Sequence, residues 1–131
     1  MSALLTVCCG TDLVSIETFG RRLKRSRNDF IARYMTPVER SDAAGRIGSL
    51  AARWAAKEAT MKALGIGIGK LDPTDVEVVT KDGQPTLRLH RNAALRSAAL
   101  GLDHWSVSLT HDSGWAMAFV VAIGGREIGR H

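Results

Sequence analysis

Residues 47–65 read Ile47-Gly48-Ser49-Leu50-Ala51-Ala52-Arg53-Trp54-Ala55-Ala56-Lys57-Glu58-Ala59-Thr60-Met61-Lys62-Ala63-Leu64-Gly65. At the helical period, Ile47, Leu50, Ala51, Trp54 and Ala55 fall on one apolar stripe, which predicts a helix over Ile47 to Leu64. Gly65 follows the last periodic residue and suits the C′ position, where a left-handed backbone ends a helix. Glu58 breaks the pattern. It sits in the middle of the stripe, one turn beyond Trp54, and Lys62 follows at i+4. A core-facing carboxylate is unfavourable unless it is paired or bound to a cation. An intrahelical Glu58–Lys62 pair, worth about 0.3–0.5 kcal/mol, explains the lysine but not the central place of the acid.

Upstream of this helix, Thr36-Pro37-Val38-Glu39 carries an N-cap threonine, a proline at N1 and a glutamate at N3, a capping box. Asn28 is placed to cap a short helix carrying Phe30, Ile31 and Tyr34, and Ser15 to Arg27 reads as a basic helix. Leu4 to Cys9 is a short apolar run that predicts a buried strand ended by Gly10. Downstream, strands at Val76–Thr80 and Thr86–His90 flank the hairpin signal Lys81-Asp82-Gly83-Gln84-Pro85. An alanine-rich helix over Asn92–Leu100 stops at Gly101. Trp105, Val107 and Leu109 alternate with Ser106, Ser108 and Thr110, a half-buried strand, and His111-Asp112-Ser113-Gly114 turns the chain into a last strand, Trp115–Ile123. Short turns between strands favour antiparallel pairing. The expectation is an α+β fold: one domain over 1–131, a mainly antiparallel sheet packed against one long central helix and shorter helices, with 124–131 as a flexible tail.

A chain of 131 residues that is 45% hydrophobic and 24% charged suits one globular core rather than disorder. No apolar run approaches the roughly 20 residues of a membrane span, and Met1 to Gly10 lacks the basic start of a signal peptide. Cys8 and Cys9 are adjacent, which builds neither a disulfide framework nor a metal knuckle. These features predict a cytoplasmic protein with no membrane partner. The charge is concentrated: Thr18 to Arg46 holds eight bases and three acids, so that segment alone accounts for the net +5 of the whole chain. A local basic patch suggests an anionic partner, although such runs are often simply solvated helix faces.

Asp12, just beyond the first strand, is the second candidate acid; its plainer role is an Asx turn or N-cap before Ser15. A strand-end aspartate and a helical glutamate, completed by water and phosphate oxygens, suit Mg²⁺, which takes few protein carboxylates. Arg53, Lys57 and Lys62 on the same helix, with His111 in a turn, supply the cations a metal–polyphosphate complex needs. Gly65-Ile66-Gly67-Ile68-Gly69-Lys70 is not a phosphate loop, because it leaves a helix C-terminus, where the dipole has the wrong sign.

Taken together, Gly10-Thr11-Asp12, the block Arg53 to Gly65 with its Lys-Glu-Ala-x-x-Lys core, and Val107-Ser108-Leu109-Thr110-His111 resemble the holo-[acyl-carrier-protein] synthase family, the small bacterial 4′-phosphopantetheinyl transferases. The order and spacing of these motifs match over about residues 5–123. The resemblance implies transfer of 4′-phosphopantetheine from coenzyme A to a serine of apo acyl carrier protein, with adenosine 3′,5′-bisphosphate released. The activity would serve fatty acid synthesis, and the residues leave open whether polyketide carriers are accepted as well. By motif, Asp12 and Glu58 would bind Mg²⁺, with Asp112 as a further metal contact or a turn-shaping residue. Glu58 would take the serine proton and Lys62 would stabilise charge on the phosphates, while Arg53, Lys57, Thr110 and His111 would hold the nucleotide. Arg21, Arg22 and Arg25 would dock the acidic carrier, and the assembly would be a homotrimer with sites between subunits. The alanines Ala52, Ala56, Ala59 and Ala63 would permit close packing on the face opposite Glu58. The alternative is a non-catalytic basic module for nucleic acid, which predicts exposed aromatics among the arginines and leaves Asp12 and Glu58 without a role.

Overall fold

The computed structural model describes residues 3–26, 29–67 and 69–127. Its elements in chain order are β1 (Ala3–Ser15), α1 (Ile16–Ser26), α2 (Asp29–Tyr34), α3 (Pro37–Ala43), α4 (Ile47–Leu64), β2 (Val76–Lys81), β3 (Gln84–Leu89), α5 (Arg91–Ala99), β4 (His104–Asp112) and β5 (Trp115–Glu127). A three-stranded antiparallel sheet in the order β1-β5-β4 forms one layer, and β2-β3 forms a separate hairpin. The central helix has the predicted limits. Gly65 takes the left-handed conformation (φ 70°) and its N–H returns to the Lys62 carbonyl at 3.1 Å. The capping box at Thr36 is also formed, with Thr36 N–H donating to Glu39 Oε1 at 2.9 Å and Glu39 N–H to Thr36 Oγ1 at 3.2 Å.

Helix α4 is not one-faced. Every residue from Leu50 to Leu64 is buried except Glu58, which is half-buried, and Lys62, which is exposed. Of the stripe read from the sequence, Leu50, Ala51 and Trp54 pack with Phe19 and Phe30, Ala55 packs toward the sheet and β2, and Ile47 is exposed. Consequently the alanine face is consumed within the chain. Ala55, Ala56, Ala59 and Ala63 pack with Val78, Ala118 and Val120, and Ala52 joins the aromatic cluster. The apolar surface left open lies elsewhere, on the outer side of the sheet: Leu5, Val7 and Leu13 of β1 with Trp115, Met117, Phe119 and Ile123 of β5.

Two glycines read as strand ends are close-approach residues instead. Gly10 lies inside β1, and a Cβ there would overlap the Ala59 carbonyl of α4. Strand and helix backbones touch at this point, which only glycine permits. Gly124 lies likewise inside β5, where a Cβ would overlap the Gly101 carbonyl. The strand therefore continues past Ile123 to Glu127, paired with Ala3–Val7 of β1, and half of the expected flexible tail belongs to the sheet. Residues 128–131 lie outside the described part, as do Arg27 and the expected cap Asn28. Both hairpins turn on two residues of positive φ, Asp82-Gly83 (51°, 77°) and Ser113-Gly114 (52°, 83°), the geometry that matches strand twist.

Candidate active site

The fold brings Asp12 and Glu58 together. Asp12 pairs with Ala118 across β1 and β5, so it points to the face of the sheet that α4 covers. Lys62 closes the group: its Nζ lies 3.0 Å from Asp12 Oδ1 and donates to the Thr11 carbonyl at 2.9 Å. The lysine thus reaches across to the strand instead of pairing with Glu58 along the helix. Burial, and then the nearby Asp12 charge, push the Glu58 carboxyl above its ordinary value, with Lys62 and Arg22 pulling the other way. Asp12 and the raised Glu58 carboxyl give the site two neighbouring acids with access to solvent. No third metal-ligating side chain joins them among the described residues. That donor set fits Mg²⁺, which is content with two carboxylates when phosphate and water supply the other oxygens.

A second feature lies at the other side of α4. Thr110 and His111, at the end of β4, line a cleft of about 400 Å³ with Arg46, Gly48, Ser49, Ala52 and Leu109. Its floor is the first turn of α4, where backbone N–H groups and the helix dipole favour anions. Ser49 is about 180° around the helix from Glu58 by helical geometry. The cleft and the acidic pair therefore face opposite ways from the same helix. Asp112 shapes the turn beside the cleft, where its Oδ1 accepts from Ser113 Oγ at 3.3 Å, and it forms no cluster with Asp12 and Glu58. Arg46 was visible in the sequence only as part of the basic segment.

Lys57 and Arg53 are placed otherwise than their motif positions imply. Lys57 is wholly buried. Its Nζ makes a 2.8 Å ion pair with Glu39 Oε1 and donates to the carbonyls of Pro73 and Val76 at 2.8 and 2.6 Å. Burial pulls this ammonium below its ordinary value, and the Glu39 carboxylate opposes that. Glu39, itself fully buried, also accepts from the Val78 N–H at 2.9 Å. One glutamate thereby caps α3, holds α4 and anchors β2. With three acceptors around it and no exposed atom, Lys57 is a structural cation and does not reach a nucleotide. Arg53, 6% exposed, donates to Ser49 Oγ at 2.8 Å and Thr80 Oγ1 at 3.2 Å, while its buried Nε has no partner. It is not among the residues lining the cleft. The capping box made Glu39 legible as a cap; nothing local in the sequence signals its second partner.

On α1, Arg21, Lys24 and Arg25 line an exposed depression of about 470 Å³ with Thr18. Arg22 departs from this ridge. Its guanidinium lies 4.7 Å from the Phe30 ring centre and 5.9 Å from that of Trp54, turned toward Glu58. Two of the segment's three aromatics, Phe19 and Phe30, are buried and meet edge to face, centres 5.6 Å apart, and Tyr34 is partly buried against Phe30. They offer no stacking platform for bases.

Comparison with known proteins places this geometry in a family. The profile of the 4′-phosphopantetheinyl transferase superfamily matches residues 8–120. The chain is 40% identical over 123 residues to holo-[acyl-carrier-protein] synthase of Herpetosiphon aurantiacus, covering 88% of this chain and 97% of that one. It is 45% identical over 119 residues to the Streptomyces griseus protein of the same name, covering 88% and 96%. Among solved structures, Helicobacter pylori holo-[acyl-carrier-protein] synthase in complex with coenzyme A superposes with a TM-score of 0.79 at 31% identity, covering 87% of this chain and 98% of that one. On the matching family profile, the identity to these relatives and the shared fold, the chain belongs to the 4′-phosphopantetheinyl transferase superfamily, in its holo-[acyl-carrier-protein] synthase branch.

Proposed function

We propose that this chain transfers the 4′-phosphopantetheine group of coenzyme A to a serine of apo acyl carrier protein, in the service of fatty acid synthesis. The observation that carries the reading is the gap in the buried stretch 50–64 of α4, where Glu58 lies beside Asp12 and Lys62. Asp12 and Glu58 would hold Mg²⁺, which when bound draws charge from the pyrophosphate oxygens. Glu58, with its raised carboxyl, is suited to accept the serine Oγ proton. The serine oxygen then bonds to the phosphorus next to pantetheine, and the pyrophosphate bridge breaks. Adenosine 3′,5′-bisphosphate leaves with the electron pair. Lys62 is placed to offset the negative charge that develops on the departing phosphate. Thr110, His111 and Arg46 are placed to hold the nucleotide at the head of α4.

We infer a homotrimer with sites between subunits, and the positions of these groups support it. The nucleotide cleft and the acidic pair face opposite ways, so one coenzyme A cannot span both on a single chain. A head-to-tail contact, cleft of one copy against acid pair of the next, closes into a ring. The bare apolar outer sheet face supports the same arrangement, and the family resemblance sets the ring at three. Light scattering on the purified protein is expected to give three chain masses; a monomer at micromolar concentration contradicts shared sites. Cys8 and Cys9 stand unbridged, which suits the reducing cytoplasm. No helix among the described residues is long and apolar enough to cross a membrane.

Carrier docking is assigned to Arg21 and Arg25, which project from the exposed ridge of α1. Replacing both by glutamate is expected to raise KM for the carrier about ten- to a hundredfold by reversing steering charge. KM for coenzyme A stays within about twofold, since the cleft is untouched. Initial rates at varied carrier and varied coenzyme A check this, and equal loss of both affinities would remove the docking assignment. The basic nucleic-acid module finds no support in the packing, because Phe19 and Phe30 are interior.

A further inference from the structure

We propose that Lys62 occupies the cation position of the free enzyme, so that a divalent cation enters together with coenzyme A and not before it. The inference rests on the reading of Asp12 and Glu58 as the cation site. Lys62 Nζ lies 3.0 Å from Asp12 Oδ1 and is held there by a second bond, to the Thr11 carbonyl at 2.9 Å. The Asp12 side chain is 19% exposed and that of Lys62 57%, so the ammonium lies on the open side of a largely enclosed carboxylate. Glu58 forms no ion pair or hydrogen bond within the chain among the described residues. The free enzyme thus has one carboxylate in a direct ion pair, Asp12, and one, Glu58, that feels Lys62 and Arg22 only through space.

A divalent cation arriving alone meets a like charge at Asp12, within a few ångströms and partly shielded from water, where repulsion is strong. It can bind only by expelling the lysine, which then has no anion to receive it. Coenzyme A changes that balance. Its pyrophosphate offers the displaced ammonium a new partner while the cation takes the carboxylate. The count of opposite-charge contacts is preserved, and lysine's flexible stem suits it to the transfer. The substrate recognised at this site is therefore the cation–coenzyme A complex. The contacts the exchange breaks are those of Lys62 with Asp12 and with the Thr11 carbonyl.

Mn²⁺ binding, read from the electron paramagnetic resonance of the free ion, tests this without turnover. Wild type, Lys62→Met and Lys62→Ala are titrated with Mn²⁺ with and without coenzyme A, and no carrier is present. Because Lys62 is exposed, both variants are expected to fold. Without coenzyme A, both variants should bind Mn²⁺ about tenfold more tightly than wild type. Saturating coenzyme A should tighten wild type more than either variant, which narrows or reverses the gap. Adding Asp12→Asn to Lys62→Met should abolish the gain. If coenzyme A promotes Mn²⁺ binding to wild type but the Lys62 variants show no gain alone, the inference is overturned and the cation site stands. If no chain binds Mn²⁺ under any condition, the cation site itself is wrong and the inference falls with it.

Discussion

Glu58→Gln abolishes transfer, by about a thousandfold or more, and leaves the fold intact. Two roles are removed together. The amide cannot accept the serine proton, a contribution of about 10²- to 10⁴-fold, and it gives the cation one anionic ligand fewer. The size is preserved, so the packing of Trp54 and the helix is undisturbed. The effect on stability has a definite sign. Burial and Asp12 raise the Glu58 carboxyl in the folded chain, so the folded state holds a proton that the unfolded chain releases. Ionised Glu58 therefore opposes folding above the ordinary glutamate range. The glutamine variant is at least as stable as wild type at neutral pH, and the difference closes as pH falls below that range. Urea denaturation at two pH values, beside the transfer rate, checks both halves. Activity near that of wild type would remove Glu58 from the reaction.

Lys57→Met has the opposite signature, a damaged fold with an unaltered site. It removes the partner of Glu39 in a fully buried ion pair and leaves the Pro73 and Val76 carbonyls without their donor. Breaking a buried pair from one side costs about 3–5 kcal/mol, because a bare charge stays inside. That is a large share of the stability of a domain this size. Arginine does not rescue it, since the three acceptors surround a single ammonium nitrogen. In whatever folded protein remains, KM for coenzyme A is unchanged. The denaturation midpoint and KM are measured on the same preparation. A tenfold rise in KM at an unshifted midpoint would return Lys57 to the nucleotide site.

The contrast between Lys57 and Lys62 marks the limit of what the sequence discloses. Both are lysines on one helix inside one motif, and the pattern assigned both to phosphate. One face of α4 was legible because Trp54 and its neighbours repeat at the helical period. The face toward β2 and α3 was not, since alanines are compatible with any surrounding and the partners arrive from distant segments. Gly65, the Thr36–Glu39 box and the Asp82-Gly83 hairpin were legible because each acts on its own neighbours in the chain. Gly10 was misread, and the place of Gly124 in a strand was missed, for the same reason in reverse. A glycine that ends a strand and a glycine that lets another backbone touch it look identical until the second backbone is known. In the candidate site, Lys62 reaches Asp12 with Glu58 nearby, Thr110 and His111 share a cleft, and Arg53 is not among the residues lining it. The division of the site between two faces of α4 was visible only in three dimensions.

The central claim is covalent transfer, and the intact mass of an apo acyl carrier protein tests it most directly. The carrier is incubated with this protein, coenzyme A and Mg²⁺, and its mass is read before and after. The account predicts a gain of about 340 Da, the phosphopantetheine arm attached by nucleophilic attack of the carrier serine. The gain should vanish when the cation is chelated and when Glu58 is replaced by glutamine. An unchanged carrier mass, with folded protein that binds coenzyme A and with several carriers tried, would contradict it.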